Sequence, residues 1–157
     1  MACQLAIFVD LDNTLLYTGS YRKTGNLGSQ VKPMPAGFAV DDSVIFIRPD
    51  AARFARFLKL LTQNVFILTA GERRYQTEIL RAAGLLGLFK GVYGAGDAIP
   101  QCEKAILVDN CPDCRSKYQF LRQWARKSYP ITVKAFYGKP DRELKTAAMR
   151  VMRLAGA

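Results

Sequence analysis

Three continuous apolar runs in this sequence each end in side chains able to do chemistry. Leu5-Ala6-Ile7-Phe8-Val9 leads into Asp10-Leu11-Asp12-Asn13-Thr14-Leu15, Val65-Phe66-Ile67-Leu68 into Thr69, and Ala105-Ile106-Leu107-Val108 into Asp109-Asn110. Asp10 and Asp12 stand two apart, so in extended backbone their carboxylates point the same way. Neighbouring carboxylates repel unless a cation or a shared proton intervenes. A hard ion such as Mg²⁺ meets that need, because it takes a few protein oxygens and keeps water or phosphate for the rest. Asp109 or Asn110 would complete its ligand set. Asp10 is then a candidate nucleophile toward phosphorus. Asp12 is the candidate acid/base, protonating the leaving oxygen and later deprotonating water. The metal masks charge that would repel an anionic substrate, and Thr69 can hydrogen-bond the transferring phosphoryl oxygens.

Each feature alone has an ordinary structural reading. A lone Asp-x-Asp is common in surface loops. Thr69 ahead of Glu72 has capping-box spacing, and Asp109-Asn110 shortly before Pro112 suits a turn. Their conjunction, at three apolar run ends in this order, selects the chemical reading. The chain contains no histidine, which excludes Ser-His-Asp and Cys-His catalysis and His-ligated zinc.

The elements that must position these residues follow from the same runs. Continuous rather than alternating apolar strands are covered on both faces, as in a parallel sheet. Between them Phe54, Phe57, Leu58 and Leu61 have helical spacing after Pro49, as do Leu144, Ala147, Ala148 and Val151. Ile79, Leu80 and Ala83 mark a helix closed by Gly84. Tyr118, Leu121 and Trp124 sketch another that stops before Pro130. Weaker strands are expected at 91–93 and 131–135. Residues 17–43, rich in Gly, Ser, Thr, Pro and Lys, precede a strand at Val44-Ile45-Phe46-Ile47. The expected fold is a three-layer α/β, Rossmann-like domain with a central, mainly parallel five-stranded sheet. A small loop/β-hairpin insertion after strand 1, at about residues 17–47, sits within one domain spanning 1–157. Ligands bind such sheets at the carboxyl ends of the strands, where all three polar tips fall.

Length and charge set the outer bounds. The 157 residues suffice for one buried core. No apolar run approaches the roughly 18–20 residues that cross a bilayer. Met1-Ala2-Cys3-Gln4 opens no secretory pattern, so a cytoplasmic location is expected, or a nuclear one in a eukaryote, with no membrane partner. The net charge is +10, of which +7 lies in residues 101–157. Such a field favours anionic partners: phosphoprotein, nucleotide or nucleic acid. Arg115, Lys117, Arg122, Arg126 and Lys127 read as the solvated face of a helix, with attraction of an anionic substrate as a second role. Tyr17, Tyr21, Arg22 and Lys23 in the insertion are placed to meet a substrate. Of the four cysteines, Cys111 and Cys114 form a C-x-x-C, and Cys3 and Cys102 open adjacent strands at the opposite end of the sheet. Plain reduced thiols are the first reading, with a redox pair and a zinc site as alternatives.

Asp10-Leu11-Asp12-Asn13-Thr14-Leu15 resembles the DxDxT motif of the haloacid dehalogenase superfamily. Within it the pattern is similar to the FCP/SCP-like phosphatases that act on the C-terminal domain of RNA polymerase II. Ile45-Phe46-Ile47-Arg48-Pro49, Ile67-Leu68-Thr69-Ala70 and Ile106-Leu107-Val108-Asp109-Asn110-Cys111-Pro112 match successive motifs, with Cys111 where serine is usual. Ala135-Phe136-Tyr137 followed by Asp141-Arg142-Glu143-Leu144 also looks similar. The resemblance implies a Mg²⁺-dependent phosphomonoesterase working through an aspartyl-phosphate on phosphoserine or phosphothreonine in protein. It makes Asp10 the nucleophile, Asp12 the acid/base and Thr69 a phosphate binder. Metal ligation falls to Asp10, the Asp12 carbonyl, and Asp109 or Asn110. Asn13, Thr14, Ala70, Arg73 and Lys139 are candidate phosphate or substrate contacts.

The family also places a Lys ahead of its last motif, and residues 91–101 contain none. Lys104 stands roughly 16 Å before Asp109 along a strand, and Lys90 is at the same wrong end. Lys139 or Arg73 is left as the substitute. Two alternatives stand beside this reading: a phosphatase of nucleotides or nucleic-acid ends, and a catalytically weak phosphate- or nucleic-acid-binding module.

Overall fold

The computed structural model describes residues 3–20, 37–40, 43–94, 96–114 and 117–157; Tyr21, Arg22, Lys23 and Arg115 lie outside them. Its centre is a five-stranded sheet in which every pairing is parallel. β1 (Cys3–Val9) is flanked by β5 (Val65–Thr69) and β7 (Cys102–Asp109), with β6 (Gly91–Gly94) and β8 (Ala125–Thr132) at the two edges. All five residues of β5 are buried, as a strand covered on both faces requires. Alternation then sorts the side chains. Ile7, Val9, Ile67, Ile106 and Val108 pack on one face, while Phe8, Phe66, Leu68 and Leu107 pack on the other.

The first face is covered by α1 (Ala51–Leu61), α2 (Arg73–Ala82) and α4 (Glu143–Gly156), which bury Phe54, Leu58, Ile79, Leu80, Leu144 and Val151. The second carries the short helix α3 (Lys117–Leu121), with Leu121 packed beside Phe8 and Leu107. Val9 pairs with both Ile67 and Val108. The carboxyl ends of β1, β5 and β7 therefore emerge at one edge, and Asp10 and Asp109 come out side by side. No helix among the described residues is long and apolar enough to cross a membrane.

Two elements differ from the sequence expectation. The third helix, α3, ends at Leu121, and the last strand begins at Ala125 rather than near Ile131. The outer edge of β7 needs hydrogen-bond partners along its length, and β8 supplies them from Cys102↔Ala125 to Asp109↔Thr132. Only Ile131 of β8 is fully buried, so the strand carries little hydrophobic signal. Pro130 is tolerated because β8 is an edge strand, where a missing N–H costs no central ladder bond. The insertion is likewise larger than a hairpin. β2 (Leu16–Ser20), β3 (Gly37–Val40) and β4 (Ser43–Ile47) form an antiparallel sheet in the order β2-β4-β3.

Arg48, at the end of β4, ties this sheet to the core. Its side chain is fully buried and forks onto Asp141, with Nε 3.0 Å from Oδ1 and Nη2 2.8 Å from Oδ2. Nη1 donates to the Thr14 carbonyl at 2.9 Å and Nη2 to the Lys134 carbonyl at 2.7 Å. The guanidinium lies over the Phe136 ring, 5.4 Å from its centroid. One side chain thus joins the turn after β1, the end of β4 and the segment leading into α4. Arg48→Met should cost about 3–5 kcal/mol, because it strands Asp141 and two carbonyls. Arg48→Lys should recover little, since an ammonium cannot form the fork. Urea unfolding midpoints measure both, and a loss under about 1 kcal/mol for the Met variant would contradict the clamp.

Candidate active site

The turn after β1 is built so that its side chains fold back on Asp10. The Leu11 carbonyl accepts from the amides of Thr14, Leu15 and Leu16, and Asn13 takes a left-handed φ of 61°, a conformation Asn tolerates. Thr14 is fully buried; its hydroxyl donates to Asp10 Oδ2 at 2.8 Å and accepts from the Asn110 amide at 3.0 Å. The tips of β1 and β7 are stitched together by that one hydroxyl. Asp109 Oδ1 in turn accepts from the Cys111 amide at 2.8 Å.

Lys117 completes the centre. Its Nζ lies 2.6 Å from Asp10 Oδ1 and 2.6 Å from Asp109 Oδ2. The Asp10 contact is a hydrogen bond; the Asp109 contact is charge against charge. Lys117 is 5% exposed and Asp10 4%. Burial lifts the Asp10 carboxyl to about 7, with Asp109 adding to the rise and Lys117 and Thr14 opposing it. Burial also pulls the Lys117 ammonium down, but Asp10 and Asp109 outweigh it and leave its pKa above the ordinary value. One ammonium therefore faces two buried carboxylates, and the set is one positive charge short when both are ionised.

The Asn110 side-chain terminus faces a group of acceptors. It lies 3.0 Å from Asp10 Oδ2, 3.2 Å from the Asp12 carbonyl and 3.3 Å from Asp109 Oδ1. All three are acceptors. With the amide oxygen turned toward them, Asn110, Asp10, Asp109 and the Asp12 carbonyl would offer oxygens to a hard ion such as Mg²⁺. Among the described residues no group of three His, Cys, Asp or Glu is placed to hold a metal. The donors here mix two carboxylates with an amide and a carbonyl, and that set fits a hard ion that retains water.

Asp12 is held from α2. Gln76, almost fully buried, donates from Nε2 to Asp12 Oδ2 at 2.7 Å. Gly71 makes room for it, because a Cβ there would land on the Gln76 amide. Thr69 is not the helix cap. Glu72 caps α2 by accepting from the Arg74 and Tyr75 amides, and the Thr69 hydroxyl accepts from the Gly71 amide at 3.0 Å.

Asp10, Asp12, Asn13, Ala70, Asp109 and Asn110 line one cleft together with Gly71, Lys117, Cys111 and Cys114. The two cations expected there are elsewhere. Arg73 pairs with Asp97 at 3.0 Å. Lys139 is solvent-exposed and does not line the cleft. Lys104 donates to the Leu154 carbonyl and Lys90 to Asn64, both at the opposite end of the sheet. The missing cation comes instead from after the last motif. Tyr118 donates to the Ser128 carbonyl and Leu121 is buried, which docks α3 and leaves Lys117 facing the carboxylates. A signal for it existed: Lys117 stands four residues before Leu121, on the buried face of the helix.

The cysteines also depart from their first reading. Cys111 and Cys114 are joined in a disulfide, while Cys3 and Cys102 are free. Those two are register partners across β1 and β7, and burial and then Cys3 push the Cys102 thiol up to about 12. The pairs occupy opposite ends of β7, so they cannot share a zinc ion.

No family model matches the sequence, and no curated protein matches it. Solved structures do. A HAD-superfamily hydrolase from Ehrlichia chaffeensis is 11% identical, with 98% of each chain covered and a TM-score of 0.60. The fold is that of the haloacid dehalogenase hydrolases. The same fold relates the chain to the fission yeast RNA polymerase II CTD phosphatase Fcp1 bound to beryllium fluoride. The two are 18% identical with a TM-score of 0.56, covering 96% of this chain and 50% of that one. The chain thus spans half the length of Fcp1. A haloacid dehalogenase-family hydrolase from Deinococcus radiodurans, with bound phosphate and sodium, is 16% identical, covers 99% and 98% of the two chains and has a TM-score of 0.54.

The Gly71–Gln76–Asp12 contact makes a separable prediction. Gly71→Ala should cost about 1 kcal/mol in the native background and close to nothing in a Gln76→Ala background, where the space is free. Equal costs in the two backgrounds, read by denaturant unfolding, would contradict it.

Proposed function

We propose that the protein is a Mg²⁺-dependent phosphomonoesterase that works through an aspartyl-phosphate, on phosphoserine or phosphothreonine in protein. The observation that carries this reading is Lys117 set between Asp10 and Asp109, with Asn110 and the Asp12 carbonyl beside them. Asp10, Asp109, Asn110 and the Asp12 carbonyl would hold the ion. Bound there, it would offset the surplus carboxylate charge and draw a phosphoryl oxygen to the cleft.

The chain's own residues supply the rest. An ionised Asp10 oxygen bonds to phosphorus as the ester oxygen departs in line, and Asp12, held by Gln76, gives that oxygen its proton. Asp12 then takes a proton from water, whose oxygen attacks the phosphorus and frees Asp10 and phosphate. Lys117 opposes the protonation that burial favours at Asp10 and neutralises the phosphoryl group as it arrives. Asn13 and Ala70 line the cleft where the transferred group would sit, and buried Thr69 ends β5 behind them.

The cleft, about 230 Å³, is below the roughly 300–1,000 Å³ of sites that enclose a whole small molecule. It suits a phosphoryl group presented by something larger. Likeness in fold to Fcp1 favours a protein as that carrier. The +10 charge favours a second reading, a nucleic-acid terminal phosphate. The binding-module alternative rested on a missing cation, which Lys117 supplies.

Release of phosphate from p-nitrophenyl phosphate should require Mg²⁺, stop with EDTA, and vanish in Asp10→Asn. Lys117→Met should lower kcat by about 100-fold, the scale of removing one charged donor from a developing oxyanion. Phosphoserine peptides set against 3′- and 5′-phosphorylated oligonucleotides then decide the carrier, and turnover of the oligonucleotides alone would replace it.

A linkage follows from Asp10. Its carboxyl, lifted to about 7, must lose a proton to bind Mg²⁺, so binding should release more proton below pH 7 than above it. Affinity should therefore rise with pH. Calorimetry in buffers of different ionisation heat measures this, and pH-independent proton release would contradict it.

A further inference from the structure

The Cys111–Cys114 disulfide is the one chemical feature of the cleft that the proposed reaction does not use. It lines the same cleft as Asp10 and Lys117. Cys114 is exposed and Cys111 half-buried, so a reagent can approach from solvent. The turn it closes is tied to the catalytic centre at both ends. The Cys111 amide donates to Asp109 Oδ1 at 2.8 Å, and the chain three residues beyond Cys114 delivers Lys117. Inside the turn the Cys114 amide donates to the Cys111 carbonyl, and the Tyr118 amide, within α3, donates to the Pro112 carbonyl. The other two thiols cannot take part, because Cys102 lies seven residues before Asp109 on β7, about 23 Å away.

We infer that this pair is a redox-modifiable site, reduced by a small or protein-borne dithiol, and that its bonded form fixes Lys117 against Asp10 and Asp109. The effect on turnover rests on the phosphatase reading; the redox chemistry does not. One thiolate of the dithiol attacks Cys114 Sγ, the Sγ–Sγ bond breaks, and Cys111 leaves as a thiolate that takes up a proton. The second thiol of the reagent then attacks the mixed disulfide. Cys114 is released as a thiol and the reagent becomes a disulfide. Two electrons and two protons pass to the protein, and a disulfide of the same class reverses the step. Opening the ring returns torsional freedom to residues 111–114, and so to the Pro112 carbonyl that accepts from the Tyr118 amide in α3.

The test poises the protein across ratios of reduced to oxidised dithiothreitol. Each sample is quenched with a maleimide, its thiols are counted by mass, and kcat on p-nitrophenyl phosphate is measured before quenching. Cys111 and Cys114 should convert together while Cys3 and Cys102 remain thiols throughout. The reduced form should turn over about fivefold to tenfold more slowly, within the ordering that closure of so short a ring confers. A Cys111→Ser/Cys114→Ser protein should sit at the reduced value and ignore the ratio. A pair that stays reduced in excess oxidised dithiothreitol overturns the inference, as does a flat kcat while the pair converts. If no form has phosphatase activity, the functional reading fails instead, and amide hydrogen exchange over residues 117–121 decides the redox one. Faster exchange in the reduced form supports it, and identical exchange overturns it.

Discussion

The structure depends on one ammonium shared between two buried carboxylates. Asp10 and Asp109 are adjacent because β1 and β7 pair in parallel with Val9 opposite Val108, and a parallel register brings like ends together. Two ionised carboxylates in that position repel in a medium that screens poorly. Lys117 removes half of the conflict and pins α3 to the sheet in doing so. The remaining half leaves the pair one positive charge short when both are ionised. The folding problem and the proposed chemistry thus meet at one point: a protein-borne charge holds the site together, and the charge still wanting is the one the proposed ion would supply.

Around that centre the braces are polar and reach across large sequence distances. Thr14 joins the tips of two strands, Gln76 reaches from α2 to Asp12, and Arg48 gathers the turn after β1, the antiparallel sheet and the lead into α4. Each acts by directional hydrogen bonds from a buried side chain, so each fixes an angle as well as a distance. The apolar layers determine which elements pack, and these few side chains determine how the strand tips are aimed.

The parts of this design that were legible in the sequence are those written in local pattern. Continuous apolar runs marked the inner strands, the polar residues after two of them, Asp10 and Asp109, meet in one cleft, and the positions of Cys3 and Cys102 marked neighbouring strand starts. What escaped lacked a local pattern. β8 carries one fully buried residue, so its existence follows from the hydrogen-bonding demand of β7 rather than from its own composition. Lys117 was hidden among five basic residues, and only its four-residue offset from Leu121 separates it from the solvated ones. Gln76 is an ordinary helix residue until α2 is laid beside the turn after β1. The disulfide could not be read from a C-x-x-C alone, since that spacing also serves thiols and metals.

The placement of Pro130 reaches beyond the site. An open sheet ends in rows of unpaired amides and carbonyls that invite a stranger's strand to extend the ladder. On β8 the proline removes one donor from such a row, and Arg126 and Lys127 stand exposed on the same strand. At the far side β6 is only four residues long and begins and ends in glycine. Both borders of the sheet are thereby made poor templates, which guards a strongly parallel core against fibrillar self-association.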